Sequence, residues 1–458
     1  MERENLIRTL KNYSPGSFTA QPVKIRQAKL ADFARKIAAA KPEIYAALVA
    51  DLNRELTESL MAELIPLIQI TRYLKKHLPR LSRPRKLRGA AATFPAATSL
   101  IREPFGRVLV ISTWNYPLLL ALEPVLGAYA AGNRVFLKLS PRSQHTNLVI
   151  SKLIKSVFGS DEISVIGNEL SLQETISFRY DFIFLTGNSS TGKVVMTAAA
   201  KNLTPCAMEL GGKNPCIVNN GCNINIAARR IVWGKFFNAG QSCAAPDYLL
   251  VKRELKDQLL NRIAHEIRRM YGNNPLENNR IAAMPDNDAY SRITRMISEG
   301  RLVCGGDRYP QLPAVEPTVI DQLSDDSPLF HEEIFGPVLP VKTFSTDAEL
   351  FNLLAAKERP LVISCFGGSK EFRRELEKNF PCGALLLDDV LLHFCNMHIP
   401  FGGVGNSGFG AYHGERTFTT FTHEKPVLRQ SRWLDLPLRY PPHSRFIRRL
   451  LEIFNHLG

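Results

Sequence analysis

Across 458 residues there is no internal repeat, no low-complexity tract, and no uncharged apolar run near the 18 or so residues of a membrane-spanning helix, so a soluble protein is expected. The eight cysteines, at 206, 216, 222, 243, 304, 365, 382 and 395, form no Cys-x-x-Cys pair and no regular framework. In so long a chain that points to reduced, mostly buried thiols and a reducing compartment. Ten scattered histidines do not gather with Cys or Asp at metal-ligand spacing, and no catalytic metal is expected. The first residues, Met1-Glu2-Arg3-Glu4-Asn5-Leu6, carry acids where an export leader has a basic head, which places the expected location in the cytoplasm. Acidic residues are in deficit, 43 against 58 basic, giving a net charge of +15. The excess is concentrated in residues 75–88 and 429–449. No nucleic-acid module accompanies it and no aromatics interleave the first cluster, so nucleic acid is not the expected partner.

What is present suits a large enzyme. With 45% hydrophobic residues the chain can bury an extensive core over two or three domains. Residues 5–78 carry helix-spaced apolar positions, clearest at 25–40 and 58–78. The basic, proline-containing stretch 79–95 interrupts them, and 98–102 reads as the return of an extended hairpin. Alternating units follow: strand 108–112, helix 118–131, strand 135–139, helix 147–158, strands 163–166 and 182–185, helix 191–200. Such alternation predicts an α/β, doubly wound parallel sheet with its ligand at the carboxyl ends of the strands. A second alternating set runs from about 209 to 390.

Cys243 closes the run Phe236-Phe237-Asn238-Ala239-Gly240-Gln241-Ser242-Cys243, and Glu209 lies upstream in Met208-Glu209-Leu210-Gly211-Gly212-Lys213. A thiol and a carboxylate framed by small residues are what covalent acyl chemistry with a hydrolytic second half requires. Thr113-Trp114-Asn115-Tyr116-Pro117, Glu332-Glu333-Ile334-Phe335-Gly336-Pro337-Val338 and Pro400-Phe401-Gly402-Gly403-Val404-Gly405-Asn406-Ser407-Gly408 follow the same logic of order and spacing. Together these blocks resemble the aldehyde dehydrogenases, and Ala411-Tyr412-His413-Gly414 is similar to the class 3 branch.

The resemblance implies a Rossmann-type cofactor domain (1–85 and 102–208), a catalytic domain (209–414), and a small bridging hairpin (86–101 and 415–428) used in homodimerisation, with residues 429–458 as a basic tail. It assigns Cys243 as nucleophile, Asn115 and the Cys243 backbone N–H as oxyanion donors, and Glu209 as the base for thioester hydrolysis. It places Trp114, Lys138, Ser140, Arg142, Gly187, Asn188, Gly192, Glu333 and Phe335 at an NAD or NADP cofactor. Gly187-Asn188-Ser189-Ser190-Thr191-Gly192 opens a helix after an apolar strand, with Asn188 where the family has Ser. Where the family commonly reads Lys-Pro-Ser-Glu, this chain has Lys138-Leu139-Ser140-Pro141 and then Arg142. Loss of that carboxylate removes the repulsion of a 2′-phosphate, so NADP should at least be tolerated; the other reading is that Arg142 points to solvent.

The expected activity is oxidation of an aldehyde to the carboxylic acid. A transfer of the acyl group to coenzyme A, or its reduction, is the alternative that Glu209 argues against; a non-catalytic structural or nucleic-acid-binding protein on the same fold is the remote one. In the tail, Phe446, Ile447, Leu450, Leu451, Ile453, Phe454 and Leu457 gather opposite Arg445, Arg448, Arg449, Glu452 and Asn455, which predicts an amphipathic helix. That face either packs on protein, its own subunit or a dimer partner, or roofs the substrate entrance, or touches a membrane surface. The latter two would favour medium- or long-chain aliphatic, or bulky apolar, aldehydes.

Overall fold

The computed structural model describes all residues except 1, 14–18, 91–92, 276–280, 436–438 and 457–458. The chain forms two compact units: Met1–Leu81 with Pro104–Thr422, and Ser82–Glu103 with His423–Gly458.

The larger unit contains two parallel-rich sheets. The first has six strands, in the order Gly408–Phe409, Cys206–Leu210, Phe182–Gly187, Arg107–Ile111, Arg134–Lys138, Ile163–Ile166. All its pairings are parallel except that of Gly408–Phe409. Arg107-Val108-Leu109-Val110-Ile111 is buried at every position, the pattern of a strand covered on both faces. One cover is the helix Leu119–Ala131, itself buried all round, against which the helix Ile65–Leu81 packs. The helices Val23–Ala39 and Lys41–Leu52 complete that layer, and between them and Ile65–Leu81 the chain makes a π-helical turn, Leu60–Leu64.

The second sheet has seven strands, in the order Arg301–Cys304, Thr318–Asp321, Val338–Phe344, Tyr248–Lys252, Pro215–Val218, Val362–Phe366, Ala384–Leu387. It begins at Pro215, later than the alternation from 209 suggested. The strand that carries Glu209 pairs instead with Phe182–Gly187 and belongs to the first sheet. Two glycines follow that strand and mask the change of sheet in the sequence. On its other side Gly408 lies opposite Glu209. A Cβ on Gly408 would stand 2.0 Å from the Met208 carbonyl oxygen, and its φ is 125°, so only glycine permits this return. A short helix, Leu172–Ile176, capped by Ser171 and Glu174, also lies where the sequence pattern showed no element.

The smaller unit is a three-stranded sheet, Arg85–Leu87, Ala97–Pro104, Thr422–Arg429, followed by the helix Arg445–His456. Residues 416–419 are helical and belong to the larger unit. Trp433 is 98% and Phe446 73% exposed. Among the described residues no helix is long and apolar enough to cross a membrane.

Candidate active site

The helix Ile224–Phe236 ends in a tight turn in which Asn238, Ala239 and Gly240 all have positive φ, at 53°, 52° and 72°. Three successive left-handed residues reverse the chain and set Cys243 on the wall of a cavity. The Asn115 loop, which follows the strand Arg107–Ile111, meets this turn: Asn115 Nδ2 donates to the Gln241 carbonyl at 3.0 Å. Asn238 Nδ2 in turn donates to the Asn115 carbonyl at 3.0 Å and to Gln241 O at 3.2 Å. Asn115 is 2% exposed.

Burial pushes the Cys243 thiol up to about 12, with the charges of Glu333 and Glu209 adding to the effect and the backbone N–H groups of Cys243 and Ala244 opposing it. The sequence reading required a site that favours the thiolate. Those dipoles are present, but desolvation outweighs them. Glu209 is 3% exposed and neither of its oxygens takes a hydrogen bond from the protein. Its carboxyl is held well above the ordinary range, first by burial and then by the charge of Glu123. Glu123 is fully buried, 3.0 Å from His413 Nδ1.

Two spaces meet at this point. A groove of about 710 Å³ runs along the carboxyl ends of the first sheet. Its lining includes Trp114, Asn115, Lys138, Ser140, Arg142, Gly187, Asn188, Glu333 and Phe335, together with Glu209 and Cys243. Lys138 Nζ is held by the Gly167 carbonyl. Ser140 Oγ accepts from the Arg142 backbone N–H at 3.4 Å. Asn188 caps the helix Ser189–Ala200 by accepting from Thr191 N at 2.8 Å, a cap role open to Asn as well as Ser. The positive end of that helix dipole thus faces the groove. Gly192 does not line it; a Cβ there would meet Leu210 at 3.2 Å and Met208 sulfur at 3.6 Å, so this glycine serves helix-to-strand packing. Arg142 is neither free nor simply solvated: it pairs with Asp286 at 2.9 Å and lies 6.0 Å from the Trp114 ring.

Glu333 Oε1 accepts from Gly212 N at 3.1 Å, and its carboxyl is raised to about 7 by burial and by Asp247, against the pull of Lys213 and Arg292. Phe335, at φ 49°, meets Trp114 edge to face with ring centroids 5.6 Å apart. The groove therefore fits a dinucleotide: its wall offers a glycine after a strand, a capped helix N-terminus, a lysine, a carboxylate and two aromatic rings.

The second space is an apolar tunnel of about 130 Å³ lined by Met61, Trp233, Phe237, Leu391, Leu392, Phe394, Phe401 and Tyr412, among others. Among the described residues Glu209 is its one acidic or basic side chain, and Cys243, Glu209, Thr186 and Leu120 line tunnel and groove alike. The tunnel walls come from seven separate stretches of the chain, and no local pattern in the sequence announces them. Arg54 and Glu63, which brace the Asn115 loop, sit in helical sequence without a motif.

The sequence profile of the "Aldehyde dehydrogenase family" matches residues 5–427. The chain is 36% identical over 418 residues to aldehyde dehydrogenase family 3 member H1 of Arabidopsis thaliana, covering 90% of this chain and 86% of that one. To the 4,4'-diaponeurosporen-aldehyde dehydrogenase of Staphylococcus aureus it is 34% identical over 425 residues, covering 92% and 93%. A solved structure described as the substrate-bound state of Staphylococcus aureus AldH superposes with a TM-score of 0.94 at 32% identity, over 98% of this chain and 99% of that one. The chain belongs to the aldehyde dehydrogenase family, and it is an oxidoreductase acting on the aldehyde group.

Proposed function

We propose that this enzyme oxidises an apolar aldehyde to its carboxylic acid through a thioester on Cys243, with NAD or NADP as cofactor. The observation that carries the reading is the position of Cys243 and Glu209 at the junction of the polar groove and the apolar tunnel. The aldehyde enters by the tunnel; Cys243, as the thiolate once its proton has passed to solvent, adds to the carbonyl carbon, and the resulting oxyanion is held by Asn115 Nδ2 and the Cys243 N–H. Lys138, Gly187, Asn188, Glu333 and Phe335 would hold the cofactor, which would supply the acceptor for the hydride that leaves this carbon. Glu209 then takes a proton from water, the water oxygen attacks the thioester carbon, and the C–S bond breaks to release acid and thiolate. Tunnel walls that are apolar apart from the reacting end, where Glu209 and Cys243 stand, favour medium- or long-chain aliphatic, or bulky apolar, substrates. We assign cofactor binding to the first sheet and its helices, and the nucleophile to the second.

The smaller unit supports two further roles. Its Thr422–Arg429 strand is an exposed sheet edge, suited to pairing with a second copy in a homodimer. Exposed Trp433 and Phe446 among Arg432, Arg445, Arg448 and Arg449 support weak, salt-sensitive contact with an anionic membrane surface.

A panel of aldehydes of increasing chain length, assayed with both cofactors and without added thiol, tests the activity: acid should form, with kcat/KM rising with chain length. Thioester formation that requires coenzyme A would replace this reading with an acylating one. Deleting 443–458 should weaken liposome binding and raise KM for long chains more than for short; loss of the dimer with selectivity unchanged would make the tail architectural.

A further inference from the structure

Arg54 is fully buried, in the loop between the helix Lys41–Leu52 and the short helix Leu56–Ser59, far from the chain segments that carry the chemistry. Its guanidinium nevertheless reaches both of them. Nε donates to Asn238 Oδ1 at 3.0 Å, Nη2 donates to the Asn115 carbonyl, and Nη1 donates to Glu63 Oε1. Its guanidinium carbon also lies 5.0 Å from the centroid of the Tyr116 ring.

Glu63 is equally buried, in the π-helical turn, and its second oxygen accepts from Leu118 N at 2.7 Å and Leu119 N at 3.1 Å. It therefore fixes the start of the helix that follows the Asn115 loop. Glu58 accepts from Asn238 N at 3.3 Å, from the outer side of the same turn.

The geometry has a chemical consequence. Asn115 must present its amide to an oxygen held on Cys243, and these residues lie on two loops joined side to side by Asn115 and Asn238 amides. Both loops have lost their regular backbone pairing. One contains three left-handed residues, and the other runs Trp114-Asn115-Tyr116-Pro117 without helix or strand. A rigid fork with five donors is the side chain that can hold a carbonyl of one and an amide oxygen of the other at fixed separation, and a carboxylate beside it offsets its charge.

We infer that Arg54, backed by Glu63, is a positioning residue for the acyl chemistry, setting the distance between the Asn115 amide and Cys243. This rests on the reading of Cys243 and Asn115 as nucleophile and oxyanion donor. Misplacing one oxyanion donor costs roughly 10²- to 10³-fold in kcat, whereas KM for the aldehyde, set by the tunnel, should hardly move.

The test compares wild type, Cys243→Ser, Arg54→Lys and the double variant Arg54→Met with Glu63→Gln, which removes both charges together. Each is assayed well below its unfolding temperature, with folded fraction from circular dichroism and NAD and NADP dissociation constants from fluorescence. The folded double variant should bind cofactor within about twofold of wild type and show kcat down by about 100-fold, with KM within about threefold. Arg54→Lys keeps the charge beside Glu63 but cannot reach both loops, and its kcat should fall at least about tenfold. Either variant, folded and with kcat within about threefold of wild type, overturns the inference. Should the double variant not fold, Arg54→Lys alone decides it. Wild-type turnover in Cys243→Ser would instead sink the underlying assignment of the nucleophile, a distinct result.

Discussion

The groove and the tunnel share Cys243 and Glu209 and little else. The groove is wide and walled by backbone, by hydroxyls and by charged side chains that already have partners: Lys138 on Gly167, Arg142 on Asp286, Glu333 on Gly212. The tunnel is narrow and walled by Leu, Phe, Trp, Met and Tyr. A polar, anionic ligand is recognised by prearranged dipoles and counter-charges, so single changes there shift affinity by modest factors. The tunnel recognises by exclusion of water, which also raises the carboxyl of Glu209 and the thiol of Cys243. On the proposed reading, one region selects the cofactor, and the other both selects the aldehyde and sets the reactivity at the junction.

Changes at the shared residues should abolish catalysis while sparing the groove. Cys243→Ser should lower kcat by about 10⁴-fold or more with cofactor affinity unchanged, because an alcohol is a far weaker nucleophile than a thiolate. Loss of cofactor binding in that variant would show that groove and tunnel are not separable. Glu209→Gln should reduce steady-state turnover by about 10²- to 10⁴-fold yet retain a burst of reduced cofactor in rapid quench, since only hydrolysis needs the base. Absence of the burst would move Glu209 into an earlier step.

A charge placed in the tunnel sharpens the contrast. Leu391→Asp, at a half-buried position of the tunnel wall, should lower kcat/KM for an apolar aldehyde by roughly tenfold, about 1.4 kcal/mol for an incompletely solvated carboxylate, with cofactor affinity unchanged. The pH profile follows from Glu209. Its carboxyl is raised well above the ordinary range in the folded protein, and only the deprotonated form is a base, so hydrolysis-limited kcat should climb as pH rises through that raised range. In Glu209→Gln that climb should vanish, and an identical profile would assign it to another group. The smallest effects belong to the groove rim: NADP and NAD should differ in kcat/KM by no more than about tenfold, or about 1.4 kcal/mol, and Asp286→Ala, by releasing Arg142, should move the ratio toward NADP. An NAD preference of several hundredfold would locate discrimination elsewhere.

The α/β alternation from 108 to 200 was readable because each strand is a short apolar run between helix-spaced segments, and the structure places strands and helices there within a few residues. The change of sheet after Leu210 was not, because register between strands is a tertiary property and the two glycines give no sign of it. Cys243, Glu209 and Asn115 stood out through their small or cyclic neighbours, Gly, Ser and Pro, which close approach and sharp turns require. Arg54 and Glu63 had no such framing: a buried ion pair in helical sequence looks like any solvated pair until its three-dimensional partners are known. Gly192 illustrates the reverse case, a motif glycine whose contacts are with Leu210 and Met208 rather than with the groove.

The pairing of Gly408–Phe409 with Cys206–Leu210 joins segments about 200 residues apart in the chain. During synthesis the strand that carries Glu209 is therefore open along one edge until Gly408 has left the ribosome. An unfinished chain already holds Cys243 and the groove, but Glu209 lies on a strand paired only with Phe182–Gly187, its other edge available to other extended segments. On the proposed reading of Glu209 as the base, a product that terminates before Gly408 should hydrolyse a thioester poorly and leave this sheet edge open to aggregation.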